Sequence, residues 1–276
     1  MTASPARPRA VRLIATDLDG TLLRPDRTIS ERTKSAFRRA RETGIVTVIA
    51  TARPPLTARS FARAAGIDGL AICSNGALVY DLDARAVVAH RPMTPKAAAE
   101  AMLGMRARLP DVCFGCVTLE EFWAEPAYVA LSNQEDRGRT REDMTTASVD
   151  AFLRTPITKL TLRHATMRPA ELLAIVRELS PAGCEADISG APFVELVAKG
   201  ASKASALAEL CERRGIAAAE VMAFGDAPND LGMLAWAGRG VAVANAYPEV
   251  LAASDEVTAA NKDDGVAAAI ERLLSE

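Results

Sequence analysis

The chain is 276 residues long and carries 33 lysines and arginines against 35 aspartates and glutamates, a formal net charge of −2. That length suits one large domain or two smaller ones at roughly 150 residues each, and the charge balance removes the electrostatic case for a nucleic acid or an anionic membrane as partner. No apolar run approaches the ~20 residues that a membrane-spanning helix requires. The first ten residues, with Pro5 and Pro8 and no apolar core, read as a short disordered tail and not as a signal peptide. Cys73, Cys113, Cys116, Cys184 and Cys211 are odd in number and sit mostly among apolar residues, which points to reduced thiols in a cytoplasmic protein. Cys113 and Cys116 have CxxC spacing, but residues three apart on a strand face opposite sides. A structural zinc site also needs about four ligands, and His90 and His164 show no ligand spacing with this pair.

Residues 11–16 form a short apolar strand that runs into Asp17-Leu18-Asp19-Gly20-Thr21. Side chains two apart in an extended segment point the same way, so Asp17 and Asp19 can converge on one reacting group. Ligands of open α/β sheets gather beyond the carboxyl ends of the strands; an acidic surface turn is the plainer alternative. Ser30 caps a helix that reaches about residue 43, with Ala36, Phe37 and Ala40 facing inward and Gly44 as its stop. A strand over 45–50 ends in Thr51-Ala52-Arg53-Pro54-Pro55, a helix over 56–65 follows, and a strand over 70–73 leads into Ser74-Asn75-Gly76. This β-α-β-α-β order with short connections predicts a parallel sheet with right-handed crossovers.

The rhythm then changes. Residues 77–80 and 86–90 read as a hairpin, followed by a helix over 95–109, a strand over 112–119 and a polar stretch over 132–148 with the character of a mobile loop. A strand over 158–163, a helix over 169–179 and strands over 184–188 and 193–197 complete a unit of mixed hairpins and helices. We expect residues 82–189 to be an α+β domain inserted into a core made of 1–81 and 190–276, with Ser189-Gly190-Ala191-Pro192 as a hinge on the return. Ser202-Lys203 then opens an amphipathic helix, a strand over 220–224 ends in Gly225-Asp226-Ala227-Pro228-Asn229-Asp230, and a strand over 240–244 and a helix from about 265 close the chain.

Several strand ends and one helix start thus offer Asp17, Asp19, Thr51, Lys203, Asp226 and Asp230. Phosphoryl transfer suits such a set, because its catalysis is mostly positioning and neutralisation of spread negative charge. Asp17 can serve as nucleophile and Asp19 as acid and base, and Lys203 can balance Asp17 and hold a phosphoryl oxygen. The Thr51 hydroxyl and backbone N–H groups around Leu18 and Thr51 can cradle the others. Carboxylates alone repel phosphate, so a cation belongs among them, and Mg²⁺ takes hard oxygen ligands. Taken singly, each residue has a duller reading. Thr51, Asp226 and Asp230 also suit helix caps, Lys203 a solvated first turn, Asn75-Gly76 a tight turn, Arg53 a surface ion pair, and Arg137, Arg139 and Arg141 a solvated face.

Together with Thr51-Ala52-Arg53, Ser74-Asn75-Gly76-Ala77 and Gly200-Ala201-Ser202-Lys203, these motifs resemble, in order and over essentially the whole chain, a haloacid dehalogenase superfamily phosphatase of the Cof-type subgroup. The resemblance implies an α/β fold, with a Rossmann-like parallel-sheet core and an inserted, smaller α+β cap. It implies Mg²⁺ held by Asp17, the backbone carbonyl of Asp19 and Asp226, with Asp230 behind them. The phosphate and substrate would meet Leu18, Ala52, Arg53, Asn75 and Asn229. Ala52 and Ala204 stand where the family has glycine, each adding a methyl where backbone approaches closely. The expected substrate is a small phosphorylated metabolite, and the expected assembly a monomer or homodimer. A sugar phosphomutase and a non-catalytic phosphate-binding module remain the alternatives. A receiver domain lacks the insertion, and no P-loop motif occurs.

Overall fold

The computed structural model describes residues 10–119, 121–132, 142, 144–179 and 181–276. The expected tail, but for its last residue, and Arg137, Arg139 and Arg141 lie outside the described residues.

In chain order the first half of the fold is β1 (Leu13–Thr16), α1 (Glu31–Glu42), β2 (Val46–Ala50), α2 (Pro55–Ala65), β3 (Leu70–Cys73), β4 (Leu78–Asp81) and β5 (Ala86–His90). After an excursion described below, the chain returns as α7 (Lys203–Arg213), β12 (Val221–Gly225), α8 (Leu231–Trp236), β13 (Arg239–Val243), α9 (Pro248–Ala253), β14 (Glu256–Thr258) and α10 (Gly265–Leu273). These strands form one sheet in the order β14-β13-β12-β1-β2-β3-β4-β5. The pairs from β14 through to β3 are parallel and the last two are antiparallel. β1 lies between β12 and β2, so the chain winds outward from it in both directions, and the crevice beyond its carboxyl end is the topological switch point.

Period-two alternation sorts the apolar residues onto the two faces. Ile14, Ile49, Met222 and Phe224 pack with Phe37 of α1 and Ile270 of α10, whereas Leu13, Ala15, Val48 and Ala223 pack with Leu207 of α7 and Met233 of α8. Burial of both faces explains why these strands read as continuous apolar runs. Ser30 caps α1 as expected, its hydroxyl accepting from the Thr33 N–H.

The excursion comprises α3 (Pro95–Arg108), β6 (Cys113–Val117), β7 (Phe122–Ala124), α4 (Pro126–Leu131), β8 (Thr145–Thr146), α5 (Val149–Phe152), β9 (Lys159–Arg163), α6 (Pro169–Leu179), β10 (Cys184–Asp187) and β11 (Val194–Ala198). Its strands form a second sheet in the order β10-β11-β9-β6-β7-β8. One face is apolar and packs on α3 and α6 through residues such as Met102, Leu160, Leu172 and Leu196.

Sheet membership departs from the expected boundaries at both ends. β5 stays in the first sheet, so the excursion begins after His90 and not at 82, and β11 pairs with β9 and β10, so it ends after Ala198 and not at 189. Pairing partners decide these ends. A hairpin strand looks the same in sequence whichever sheet it extends. β7, β8, α4, α5, α9 and β14 leave no mark in the sequence, because each is too short to display a period. Cys113 and Cys116 do face opposite sides of β6, one packing against Tyr128 and the other within the α3/α6 core. Burial pushes their thiols up to about 11 and about 12.

Candidate active site

The loop after β1 turns sharply to deliver its two carboxylates. Gly20 has φ +84°, and a Cβ there would come within 2.3 Å of Asp226 Oδ2, so only glycine lets this loop lie against the loop after β12. The Thr21 hydroxyl donates to Asp226 Oδ1 at 2.6 Å, and Asn245 donates to the Gly20 carbonyl at 2.8 Å. Leu18 is fully buried, its carbonyl accepting from the Leu23 N–H at 2.8 Å.

Lys203 enters from the opposite side as the first residue of α7. Ser202 and Ser205 form a reciprocal capping box at that helix start, each hydroxyl accepting from the other's N–H at 3.0 Å. The lysine is only 2% exposed, and its Nζ donates to Asp17 Oδ1 and to Asp230 Oδ1, both at 2.7 Å. Its burial opposes the charged form, but Asp17 and Asp230 outweigh that and raise its pKa. Asp230 is fully enclosed, its second oxygen accepting from the N–H groups of Asp226 and Ala227 at 3.1 Å.

Asp17, Asp226 and Asp230 hold carboxylate oxygens within 4.8 Å of one another. Burial, with Asp230 and Asp19 nearby, pushes the Asp17 carboxyl up to about 7 against the pull of Lys203. Burial, Asp17 and Asp230 likewise raise Asp226 well above the usual carboxylate range. One ammonium cannot neutralise three buried carboxylates. The donor set is all hard oxygen, and so fits a hard divalent cation.

The remaining expected residues surround this centre. Thr51 is fully buried at the end of β2, its hydroxyl accepting from the Arg53 N–H at 3.2 Å. Arg53 grips the Asp19 carboxylate with Nε at 2.7 Å and Nη2 at 2.6 Å, while its guanidinium lies 4.7 Å from the Phe61 ring centre. Its observed partner is therefore Asp19. Asn75 follows β3 with φ +57°, and its Oδ1 accepts from Asn229 Nδ2 at 3.0 Å. Asn229 Oδ1 is buried and has no hydrogen-bond partner among the described residues.

A cleft of ≈ 240 Å³ opens between the two sheets, lined among others by Asn75, Asp187, Glu195, Lys203 and Asn229. A larger concavity of ≈ 370 Å³ beside α2, lined by Arg41, Arg59, Arg63 and Arg85, lies apart from this cluster. Two neighbours of the site carry little signal in the sequence. Lys159 of β9 and Glu195 of β11 form a buried ion pair beneath the second sheet, and Lys159 Nζ donates to the Ala52 carbonyl at 2.8 Å. The available signal was a lone glutamate inside the otherwise apolar β11; Lys159 opens β9, where it alternates with Leu160 and Leu162 alongside Thr161 and Arg163.

Comparison with known proteins supplies the family. A family model described as haloacid dehalogenase-like hydrolase matches residues 14–270. The chain is 31% identical over 264 residues to the 5-amino-6-(5-phospho-D-ribitylamino)uracil phosphatase of Bacillus subtilis (strain 168), covering 96% of each. It is 30% identical over 278 residues to the pyridoxal phosphate phosphatase of Escherichia coli (strain K12), covering 93% of this chain and 96% of that one. In fold it is similar to a solved protein of Streptococcus mutans UA159, with a TM-score of 0.85 at 22% identity over 97% of this chain and 100% of that one. The chain belongs to the haloacid dehalogenase-like hydrolase family. Its enzyme class is that of the phosphatases, which in this superfamily are generally metal-dependent. Among the described residues no helix is long and apolar enough to cross a membrane.

Proposed function

We propose that this phosphatase hydrolyses small phosphorylated metabolites through a phosphoaspartate formed on Asp17, with Mg²⁺ as its cation. The observation that carries the reading is the buried contact of Asp17 Oδ1 with Lys203, beside Asp226, at the carboxyl end of β1. The Asp17 carboxylate attacks phosphorus as the ester P–O bond breaks, and Asp19 gives its proton to the leaving oxygen. Asp19 then takes a proton from water, which attacks the same phosphorus, releases inorganic phosphate and restores Asp17. Arg53 holds the Asp19 carboxylate in place through two hydrogen bonds.

Lys203 and the Thr51 hydroxyl hold phosphoryl oxygens, with backbone N–H groups at Leu18 and Ala52 and the amides of Asn75 and Asn229 completing the cradle. Asp17, Asp226 and the Asp19 carbonyl would hold Mg²⁺. Asp230 stands behind them, since both its oxygens are engaged by Lys203 and backbone. When bound, the ion supplies the positive charge that lets a phosphate approach these carboxylates.

The test is release of inorganic phosphate from p-nitrophenyl phosphate, with pyridoxal phosphate and 5-amino-6-(5-phospho-D-ribitylamino)uracil among the metabolites assayed. Turnover should require the divalent cation, and Asp17→Asn should reduce kcat by at least about 10³-fold. Undiminished turnover in that variant removes Asp17 as nucleophile. An isomeric product without free phosphate would make the enzyme a mutase.

A further inference from the structure

The ion pair under the second sheet reaches across to the first and ends on groups of the phosphate cradle. Lys159 and Glu195 belong to neighbouring strands, with side chains 5% and 1% exposed, on the face turned away from the α3/α6 core. On its own side, Glu195 accepts from Lys159 and from the Ser189 hydroxyl. Across the cleft, Glu195 Oε2 accepts from Asn75 Nδ2 at 3.2 Å, and Lys159 donates to the carbonyl of Ala52, between Thr51 and Arg53. A buried ion pair is weak evidence for stability, since apolar residues of similar volume often serve as well. What apolar residues cannot do is dictate which way an amide points.

A carboxylate only accepts hydrogen bonds, whereas an amide both donates and accepts. Glu195 therefore obliges Asn75 to turn its Nδ2 toward the second sheet and its Oδ1 toward Asn229. Asn229 in turn must present Nδ2 to Asn75, as observed at 3.0 Å. Asn229 lies one residue before Asp230 and three after Asp226. We propose that Glu195, supported by Lys159, is a positioning residue of the phosphate site. It fixes the orientation of Asn75, and through it Asn229, only when the second sheet is seated over the cleft. The proposal rests on the reading of the cleft as a phosphoryl site.

The isosteric Glu195→Gln isolates this effect. Its Oε1 still accepts from Lys159, but its Nε2 confronts Asn75 with a donor and forces both asparagine amides to turn over. KM for p-nitrophenyl phosphate and Ki for inorganic phosphate should each rise about tenfold, as loss of one hydrogen bond to a charged group would cause, while kcat changes less. Ser189→Ala removes a hydrogen bond from the same carboxylate without altering its acceptor character, so it should lower Tm and leave Ki unchanged.

Asn75→Ala should raise Ki as much as Glu195→Gln, and the double variant should add nothing further. An unchanged Ki in Glu195→Gln overturns the relay, as does an unchanged Ki in Asn75→Ala should the glutamine variant not fold. A wild-type protein that releases no phosphate from any monoester overturns the hydrolytic reading instead, so the two failures are distinct.

Discussion

Lys203 is the residue whose position makes least sense locally. A cation in the first turn of a helix opposes the helix dipole, and a buried ammonium without partners loses its proton. Here two carboxylates at 2.7 Å reverse both penalties, so the lysine is placed by the site and not by the helix. Replacement by Met would leave Asp17, Asp226 and Asp230 buried with no ammonium. Lys203→Met should therefore lower unfolding stability by about 3–5 kcal/mol in the metal-free protein, read by urea titration, and abolish turnover. Lys203→Arg should not restore activity, because a planar fork cannot replace a compact ammonium between two separate oxygens. Equal stability of Lys203→Met and wild type would mean that the carboxylates do not depend on this charge.

At the scale of elements, much of the site was legible because strand ends and punctuation coincide. Asp17, Thr51, Asn75 and Asp226 each follow an apolar run, and the run fixes their place on one sheet edge. Lys159 and Glu195 were not legible as partners. They lie 36 residues apart on strands whose register is set only when the second sheet forms. The same dependence on distant pairing misplaced β5 and β11. The approach of α7 to the loop after β3 is another such long-range fact, and Gly76 makes it possible. A Cβ at Gly76 would sit 2.0 Å from the Ser202 carbonyl oxygen, and the residue has φ +88°. Gly76→Ala must strain the turn and push back the start of α7, which carries Lys203. We expect at least a tenfold fall in kcat/KM, in keeping with the sensitivity of catalysis to misplacement by ~1 Å, together with a lower Tm. Wild-type kinetics in Gly76→Ala would show that the helix start can give way without moving the lysine.

At the switch point of the first sheet three buried carboxylates meet one ammonium, and this links stability to cation and pH. Asp17 is raised from 3.8 to about 7, so in the metal-free protein it favours folding where it is protonated. That contribution is full below the unfolded value of about 4 and is lost as pH rises through about 7. A divalent cation binds only the ionised carboxylates, and so acts most where the metal-free protein is weakest. At about 100 times its dissociation constant a cation specific to the folded state adds roughly 2.7 kcal/mol, or about 5–10 °C in Tm for a chain of this size. Scanning calorimetry should find that Mg²⁺ raises Tm by this much at pH 8 and by clearly less at pH 5. Asp226→Asn, with one carboxylate fewer, should have a metal-free Tm at pH 8 above that of wild type and should gain little from Mg²⁺. A shift of equal size at both pH values, or one that survives in Asp226→Asn, would place the bound cation away from the end of β1.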